Sequence, residues 1–240
     1  MGRRIRYARN DLHGVLPVYK AAGMVSRDVI RHIEKVLGRV KMGHVGTLDP
    51  AADGVLPIVF GDATKLQDQL LGIPKSYRFR VQLGVETDSL DQDGEVTKEL
   101  PVQTHLDAVK DAVQELLGRQ KQVPPIFSAV KYRGTPLYTY VREGRIDQVP
   151  MEELEREVEV YSVEFLGFDE QQRSVDLEVQ CSKGTYVRVL ARTLANKLGT
   201  CGHVTRLTRT AASGFKISDT VSLDEIDNNI HDFSKLLVQP

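Results

Sequence analysis

The sequence predicts an α+β protein with a mixed, mainly antiparallel β-sheet flanked by helices. Three observations indicate this class. Segments such as Tyr77 to Val85 alternate apolar and polar residues, which is the period of a half-buried strand. Other segments repeat their apolar residues at helical spacing. The two kinds of segment intermix without a regular strand–helix–strand succession, so we expect hairpin-like pairing rather than a parallel sheet.

The first elements follow from local signals. His13 to Lys20 reads as a strand that leads into a turn at Ala21-Ala22-Gly23. The next segment has apolar residues at helical spacing, so it is predicted to be a helix. We expect Ser26 to cap this helix and Gly38 to end it, because serine accepts from free amide groups and glycine tolerates the left-handed C-cap conformation.

A glycine-rich loop, Gly43 to Gly54, comes next and precedes an apolar strand at Val55 to Phe60. After the strand at Tyr77 to Val85, the segment Asp88 to Glu95 has the composition of a turn. Thr104 and Asp107 are expected to form a capping box for a second helix that Gly118 closes. The later predicted elements are strands at Val158–Val163 and Val175–Cys181 and a helix at Thr185–Leu198 that ends at Gly199.

Composition limits the class of protein. The chain is 41% hydrophobic and 27% charged, which excludes disorder over its whole length. Its apolar runs are shorter than the roughly 20 residues of a membrane span, and the N-terminus lacks the apolar core of a secretion signal. Cys181 and Cys201 have no second thiol near them in sequence and are expected to be small core residues. We therefore expect one continuous domain over residues 1–240, located in the cytoplasm.

The charge is unevenly distributed although the net charge is only −1. Residues 1–48 hold ten Lys/Arg and three Asp/Glu, residues 119–148 hold six and two, and residues 179–218 hold seven and none. The stretches between them are acidic. If the basic stretches converge in the fold, they form a cationic face for a phosphate backbone; if they scatter, they carry no meaning.

The segment Gly43 to Pro57, GHVGTLDPAADGVLP, is the strongest candidate for a functional loop. Its glycines allow the backbone to approach a ligand, and Pro50 biases Asp49 toward an extended conformation. A carboxylate held on such a loop is well placed to act on a substrate, whereas the alternative is that Asp49 and Asp53 only form turns. Phosphate-loop, dinucleotide-binding, zinc-protease and serine-hydrolase signatures are absent from the sequence, and its histidines are dispersed.

This loop resembles the catalytic-aspartate motif of the TruB-type tRNA pseudouridine synthases. The resemblance extends over nearly the whole chain and preserves the order of several long motifs. The other matching segments are LPVYKAAGMVS, KSYRFRVQLGVETDSLDQDG, QVPPIFSAVKYRGTPLYTYVREG and CSKGTYVRVLARTLANKLGTCGHVTRLTRT. The resemblance implies a pseudouridine synthase fold and an isomerase that converts uridine 55 in the T-arm loop of tRNA to pseudouridine.

The resemblance also implies roles for single residues. Asp49 falls on the catalytic aspartate, Tyr77 on the tyrosine that stacks on the target base, and Arg188 on the arginine that pairs with the aspartate. Without the resemblance, Tyr77 would be read as core packing and Arg188 as a solvated surface charge. The positions that contact the flipped-out nucleotide or its surroundings are matched by His44, Tyr186 and Leu207.

The implied reaction requires no cofactor and no metal, because atoms are conserved and no electrons pass to a carrier. Two roles are open to Asp49: attack on C1′ as a nucleophile, or removal of a sugar proton as a base. The expected partner is the T-arm of tRNA, with no membrane and no small-molecule cofactor, and the chain is expected to be a monomer. Lys131, Arg133, Arg142 and Arg145 are expected on the RNA-facing surface.

Two departures from the family pattern accompany the resemblance. The first motif usually reads Lys-Pro-x-Gly and here reads Lys20-Ala21-Ala22-Gly23. In addition, a small C-terminal RNA-binding domain of the PUA type is expected to be absent, which concerns affinity for tRNA rather than chemistry. The alternatives are a related synthase acting on another RNA and a tRNA-binding folding chaperone.

Overall fold

The structure is a computed structural model that describes residues 11–239. Its first elements are β1 (Gly14–Lys20), α1 (Ser26–Leu37), β2 (Met42–His44), β3 (Asp53–Phe60), α2 (Gln67–Gly72), β4 (Lys75–Leu83), β5 (Val85–Thr87), β6 (Val96–Glu99) and α3 (Leu106–Gln114). They are followed by β7 (Gly118–Gln122), β8 (Lys131–Tyr132), β9 (Thr135–Pro136), α4 (Leu137–Arg142), β10 (Arg156–Asp169), β11 (Ser174–Cys181), α5 (Val187–Lys197), β12 (Gly202–Ala212), β13 (Phe215–Lys216) and α6 (Leu223–Asn228). Short 3₁₀ turns lie at Gly61–Leu66, Ile146–Gln148, Met151–Leu154, Ile217–Asp219 and Ile230–Leu236.

The described chain divides into two compact units. Residues 11–76 and 208–239 form the first unit, and residues 77–207 form the second. The division falls within two strands: β4 is divided after Ser76, and β12 is divided before Thr208. The expectation of a single continuous catalytic domain stays a prediction.

The first unit is built around β3. This strand pairs antiparallel with β1 and β2, and it pairs parallel with the end of β12, where Thr208 and Arg209 lie beside Asp53 and Gly54. From Gly54 onward β3 is buried throughout, which explains why it reads as a continuous apolar run rather than an alternating one. Helix α1 adds a buried face at helical spacing to the core of this unit.

The second unit orders its strands β12, β4, β11, β10, β7, with antiparallel pairing of β10 to both β11 and β7. Strand β4 alternates as predicted: Tyr77, Phe79, Val81 and Leu83 are buried, and the residues between them are more exposed. Helix α3 packs against β10 and against α5. The hairpins β5–β6 and β8–β9 complete the described strands of this unit.

The α+β class with mixed, mainly antiparallel pairing is confirmed, and so are the predicted strands and the helix that ends at Gly38. Both predicted helix caps are wrong. Val25 occupies the N-cap of α1, while the Ser26 side chain is buried and bonded to the backbone of Leu48. His105 occupies the N-cap of α3, because the helix begins one residue later than the Thr104 capping box requires.

Gly54 is the glycine whose replacement we expect to destabilise the first unit most directly. Its φ is +107°, and an added Cβ would lie 2.3 Å from the backbone oxygen of Arg209. We expect Gly54→Ala to lower the free energy of unfolding by roughly 2–5 kcal/mol, from left-handed backbone strain and overpacking together.

Urea unfolding measures this loss, and Gly72→Ala is the matched control. Gly72 is the last residue of α2, and an added Cβ there would meet nothing within 4 Å. Alanine should therefore be neutral or stabilising at position 72. Identical unfolding curves for the two variants would contradict the steric account.

Candidate active site

Asp49 lies half-buried on the loop between β2 and β3, in the first unit. The loop turns tightly, since Ala52 N–H donates to the Asp49 carbonyl at 3.1 Å and Gly46 has φ +73°. Buried polar side chains from other parts of this unit contact the loop backbone on both sides of Asp49. The carboxylate is therefore presented from a loop whose backbone is held by long-range hydrogen bonds.

Two of these side chains come from the first motif and from α1. The Lys20 ammonium is fully buried and donates to the carbonyls of Met24 at 2.7 Å, Ala21 at 3.0 Å and Pro50 at 3.4 Å. Gly23 N–H donates to the same Pro50 carbonyl at 2.8 Å. The first motif and the aspartate loop are thus joined through the residue that follows Asp49.

Ser26 provides a second junction. Its hydroxyl donates to the Leu48 carbonyl at 3.0 Å and accepts from the Leu48 N–H at 2.9 Å. Both backbone groups of the residue before Asp49 are therefore satisfied by one buried side chain. A third contact comes from Arg209 on β12, which is 1% exposed and donates to the Gly46 and Thr47 carbonyls of the loop and to the Val55 carbonyl of β3.

The electrostatics of this region are shaped by Lys20. Burial lowers the pKa of Lys20 to about 8, against the attraction of Asp53 and Asp49, which raises it. The carboxyl Oδ2 of Asp53 also accepts from the Tyr19 hydroxyl at 3.2 Å. Asp49 therefore lies within the electrostatic reach of a buried ammonium of lowered pKa, which a second carboxylate, Asp53, also influences.

The lowered pKa of Lys20 predicts a dependence of stability on pH. Between about pH 8 and pH 10.5, the unfolded chain holds a proton on Lys20 that the folded chain has lost, so the stability contributed by Lys20 increases with pH. We expect the free energy of unfolding of wild type minus that of Lys20→Met to rise by about 1.4 kcal/mol per pH unit across this window. Chemical denaturation at several pH values measures it, with Lys65→Met, an exposed lysine of the same unit, as control. A difference that stays flat with pH would contradict the shift.

His44 ends β2 and is half-buried. Burial lowers the pKa of His44, and the positive charges of Arg209 and Arg27 lower it further, so the imidazole is neutral near pH 7. Its Nδ1 is buried and has no hydrogen-bond partner among residues 11–239. A neutral ring with an unused polar atom is suited to contact with a polar ligand.

Arg188 lies in the first turn of α5, in the second unit, and is 3% exposed. Its guanidinium donates to the carbonyls of Ser89 at 2.7 Å and Phe127 at 3.0 Å, and Nη1 lies 3.5 Å from Oδ2 of Asp91. The interpretation of Arg188 as a solvated surface charge is therefore wrong. Asp91 was missed by the sequence reasoning, which treated the Asp88–Glu95 segment as a turn only.

Tyr186 occupies the N-cap of α5, two residues before Arg188. Its backbone N–H donates to Oε1 of the fully buried Gln122 at 2.9 Å, and the Arg156 guanidinium lies 5.1 Å above its ring. The residues around Gln122 and Arg156 in sequence gave no indication that these two side chains contact Tyr186. The backbone and the ring of Tyr186 are therefore each fixed by a polar neighbour within the second unit.

The remaining predicted residues also belong to the second unit: Tyr77 is buried in β4, and Leu207 is half-buried in β12. His44 and Asp49 share the first unit, whereas Arg188 does not. The pairing of Asp49 with Arg188 and the substrate contacts of these residues stay predictions.

No group of three or more His, Cys, Asp or Glu in residues 11–239 could hold a metal ion, and the expectation that no metal or cofactor is needed stays a prediction. Across the same residues, none of the helices has both the length and the apolar character of a membrane span.

Several known proteins are similar to this chain. A family profile described as "TruB family pseudouridylate synthase (N terminal domain)" matches residues 34–187. The tRNA pseudouridine synthase B of Staphylococcus saprophyticus is 37% identical over 231 residues, which cover 94% of this chain and 74% of that protein. The tRNA pseudouridine synthase B of Lactobacillus delbrueckii is 40% identical over 235 residues, which cover 95% and 77%.

Among solved structures, a chain of a Cbf5-Nop10-Gar1 complex has the same fold, with a TM-score of 0.72 and 27% identity. The match covers 96% of this chain and 61% of that one. The chain therefore spans about three quarters of these curated relatives and about three fifths of the solved chain.

Proposed function

The chain belongs to the TruB family of pseudouridylate synthases, and on that basis we propose that it converts uridine 55 in the T-arm loop of tRNA to pseudouridine. The observation that carries the proposal is the intact aspartate loop, whose backbone Lys20, Ser26 and Arg209 hold from separate elements. A chain that had lost the chemistry would have no need for a half-buried Asp49 in such a loop. The relatives named above are tRNA pseudouridine synthases, which supports tRNA as the substrate.

The proposed reaction moves the base from nitrogen to carbon attachment. The N1–C1′ bond breaks, the base turns, a C5–C1′ bond forms, and the proton lost from C5 is balanced by one gained at N1. The net change is an isomerisation, with no external oxidant or reductant. Asp49 acts on the sugar, either as a nucleophile at C1′ or as a base toward a sugar proton.

The target uridine must leave the RNA stack, which costs a few kcal/mol. We propose that Tyr77 offsets this cost by stacking on the base, a contact worth roughly 1–3 kcal/mol. His44, Tyr186 and Leu207 are proposed to contact the flipped-out nucleotide or its surroundings. The neutral His44 ring and the Tyr186 ring held by Arg156 support these assignments, since an imidazole can hydrogen-bond to a base and an aromatic ring can stack on one.

The proposed RNA surface includes the β8–β9 hairpin and helix α4, in the second unit. Lys131, Arg133 and Arg142 lie on these elements and Arg145 follows α4; all four are exposed, and we propose that they contact the RNA. Three of the arginines lie over tyrosine rings: Arg133 over Tyr132, Arg142 over Tyr138 and Arg145 over Tyr140, at 5.0 to 5.5 Å. Cationic groups interleaved with aromatic rings suit both the phosphate backbone and unstacked bases.

Replacing Arg142 by Gln should weaken tRNA binding, most strongly at low salt, and reduce the slope of log K against log salt by roughly 0.7–0.9, since each phosphate contact contributes about that much. Filter binding over a range of KCl concentrations measures the slope. Lys235→Gln, at an exposed lysine of the first unit, is the matched control and should leave the slope unchanged. Equal slopes for wild type and Arg142→Gln would show that Arg142 does not contact the RNA backbone.

The function itself is tested with purified protein and an unmodified tRNA transcript labelled with tritium at C5 of its uridines. We expect tritium release and a pseudouridine at position 55, without added metal. A transcript with cytidine at position 55 is the control and should release none. Tight binding without release would favour a tRNA-binding chaperone, and release from the control transcript would indicate another target uridine.

Two further proposals concern the state of the protein in the cell. We propose that it acts as a monomer and that it is located in the cytoplasm, where its tRNA substrate is found. Sedimentation at enzymatic concentrations tests the first proposal, and fractionation tests the second.

A further inference from the structure

We propose that Arg209 is a positioning residue that holds the Asp49 loop in its reactive geometry. The proposal rests on the function proposed above. Arg209 lies on β12 in the same unit as Asp49, and it is 1% exposed. A guanidinium buried this deeply requires hydrogen-bond acceptors, and it finds them on the loop.

The Arg209 side chain contacts the loop before Asp49 and strand β3 after it. Nη2 donates to the Gly46 carbonyl at 3.1 Å and Nη1 donates to the Thr47 carbonyl at 3.4 Å, before Asp49. Nε donates to the Val55 carbonyl at 2.8 Å, after Asp49. One rigid, planar group therefore sets the spacing between the two ends of the segment that carries the carboxylate.

The glycines of the motif fit this arrangement. An added Cβ at Gly46 would lie 3.4 Å from Nη1 of Arg209, and one at Gly54 would collide with the Arg209 backbone. Gly54 also pairs with Arg209 across the β3–β12 ladder. The glycines of the aspartate loop therefore leave the space that both the backbone and the side chain of Arg209 require.

The positive charge of Arg209 also acts on titratable groups near the Asp49 loop. Its field contributes to the lowered pKa values of His44 and Lys20. Lysine is a poor replacement, because its donors all sit on one nitrogen, whereas the carbonyls of Gly46, Thr47 and Val55 are reached by three different nitrogens of the planar guanidinium. The three hydrogen bonds depend on the planar fork as well as on the charge.

Steady-state kinetics of Arg209→Lys test the proposal. We expect kcat to fall about 10²-fold, the cost of a misplacement near 1 Å, with KM for tRNA within about twofold of wild type. Amide hydrogen exchange of residues 43–54 should accelerate. In Arg209→Ala, added guanidinium ion should restore part of kcat by occupying the vacated site.

Phe233→Leu is the control for a general loss of stability. Phe233 is a buried residue of the same unit that packs at 5.4 Å on Phe60, the last residue of β3, whereas Arg209 pairs near the first. We expect it to lower Tm while kcat and loop exchange stay near wild type. If Arg209→Lys does not fold, Arg209→Gln tests the same contacts, because its planar amide keeps a donor for only part of the three carbonyls, and it should also lower kcat.

Unchanged kcat in the folded variants, or a loss matched by Phe233→Leu, would overturn the positioning role. Failure of the proposed function has a different signature, because the wild-type protein itself would then form no pseudouridine. The hydrogen-exchange result is independent of activity, and unchanged exchange in residues 43–54 of Arg209→Lys would also overturn the proposal.

Discussion

Asp49→Asn is expected to abolish pseudouridine formation, with kcat falling at least about 10⁴-fold while tRNA binding persists. Asparagine keeps the size of the side chain but can act neither as a nucleophile nor as a base toward the ribose, and either role supplies a large part of the rate. The backbone contacts of Lys20 and Arg209 do not involve the carboxylate, so the loop should keep its conformation. Single-turnover formation of pseudouridine with saturating enzyme measures the chemical step apart from binding.

Asp53→Asn is the matched control, since Asp53 is the other carboxylate of the motif. Its Oδ2 accepts from the Tyr19 hydroxyl, and an amide oxygen can accept the same bond. We expect a loss of at most about tenfold. Undiminished turnover by Asp49→Asn would refute the proposed mechanism. An equal loss of kcat in both variants would indicate that the loop conformation is disturbed rather than that a reacting group is lost.

Arg188→Ala is expected to lower kcat by about 10²- to 10³-fold. The expected kinetic loss comes from the proposed pairing of Arg188 with Asp49. The substitution also removes the cation beside Asp91 and leaves the carbonyls of Ser89 and Phe127 without this donor, and breaking a buried pair in this way costs about 3–5 kcal/mol of stability. If Arg188 also pairs with Asp49, the loss appears in the chemical step. The measurement is the single-turnover rate, accompanied by Tm to separate chemistry from folding.

Arg192→Ala provides the comparison for Arg188, because Arg192 lies one turn further along α5 and is half-buried. We expect it to lose less than tenfold. A double-mutant cycle of Arg188→Ala and Asp91→Ala then measures their coupling, which should be non-additive. Full turnover by folded Arg188→Ala would refute the role.

The sequence predicted elements whose signals are local. Strands β1, β3, β4 and β11 each show their burial in their own residues, as apolar runs or as alternation. The short hairpins β5–β6 and β8–β9 have too few residues to show a period. The two helix caps failed for different reasons. Ser26 bonds Leu48, 22 positions away, instead of its own helix. The α3 helix begins one residue after the start that a Thr104 cap requires.

Through the resemblance, the sequence assigned His44, Asp49 and Arg188 to the site, and these roles stay predictions. Arg209 and Asp91 were not singled out, because their partners are remote in sequence. The charge pattern was also misleading in part. Lys20, Arg188 and Arg209 belong to the basic stretches that were considered as a cationic face, but all three are buried and bind backbone carbonyls, so they add nothing to the surface.

The turn at Ala21-Ala22-Gly23 lacks the proline that this family usually has, yet it is not loose. The Lys20 ammonium and the Gly23 amide both converge on the Pro50 carbonyl, so the stiffness that a pyrrolidine ring would supply comes instead from the neighbouring segment. The Lys20–Gly23 turn and the Asp49 loop therefore form one structural unit. If either segment alone were grafted onto a related scaffold, it would lack the hydrogen bonds that define its conformation.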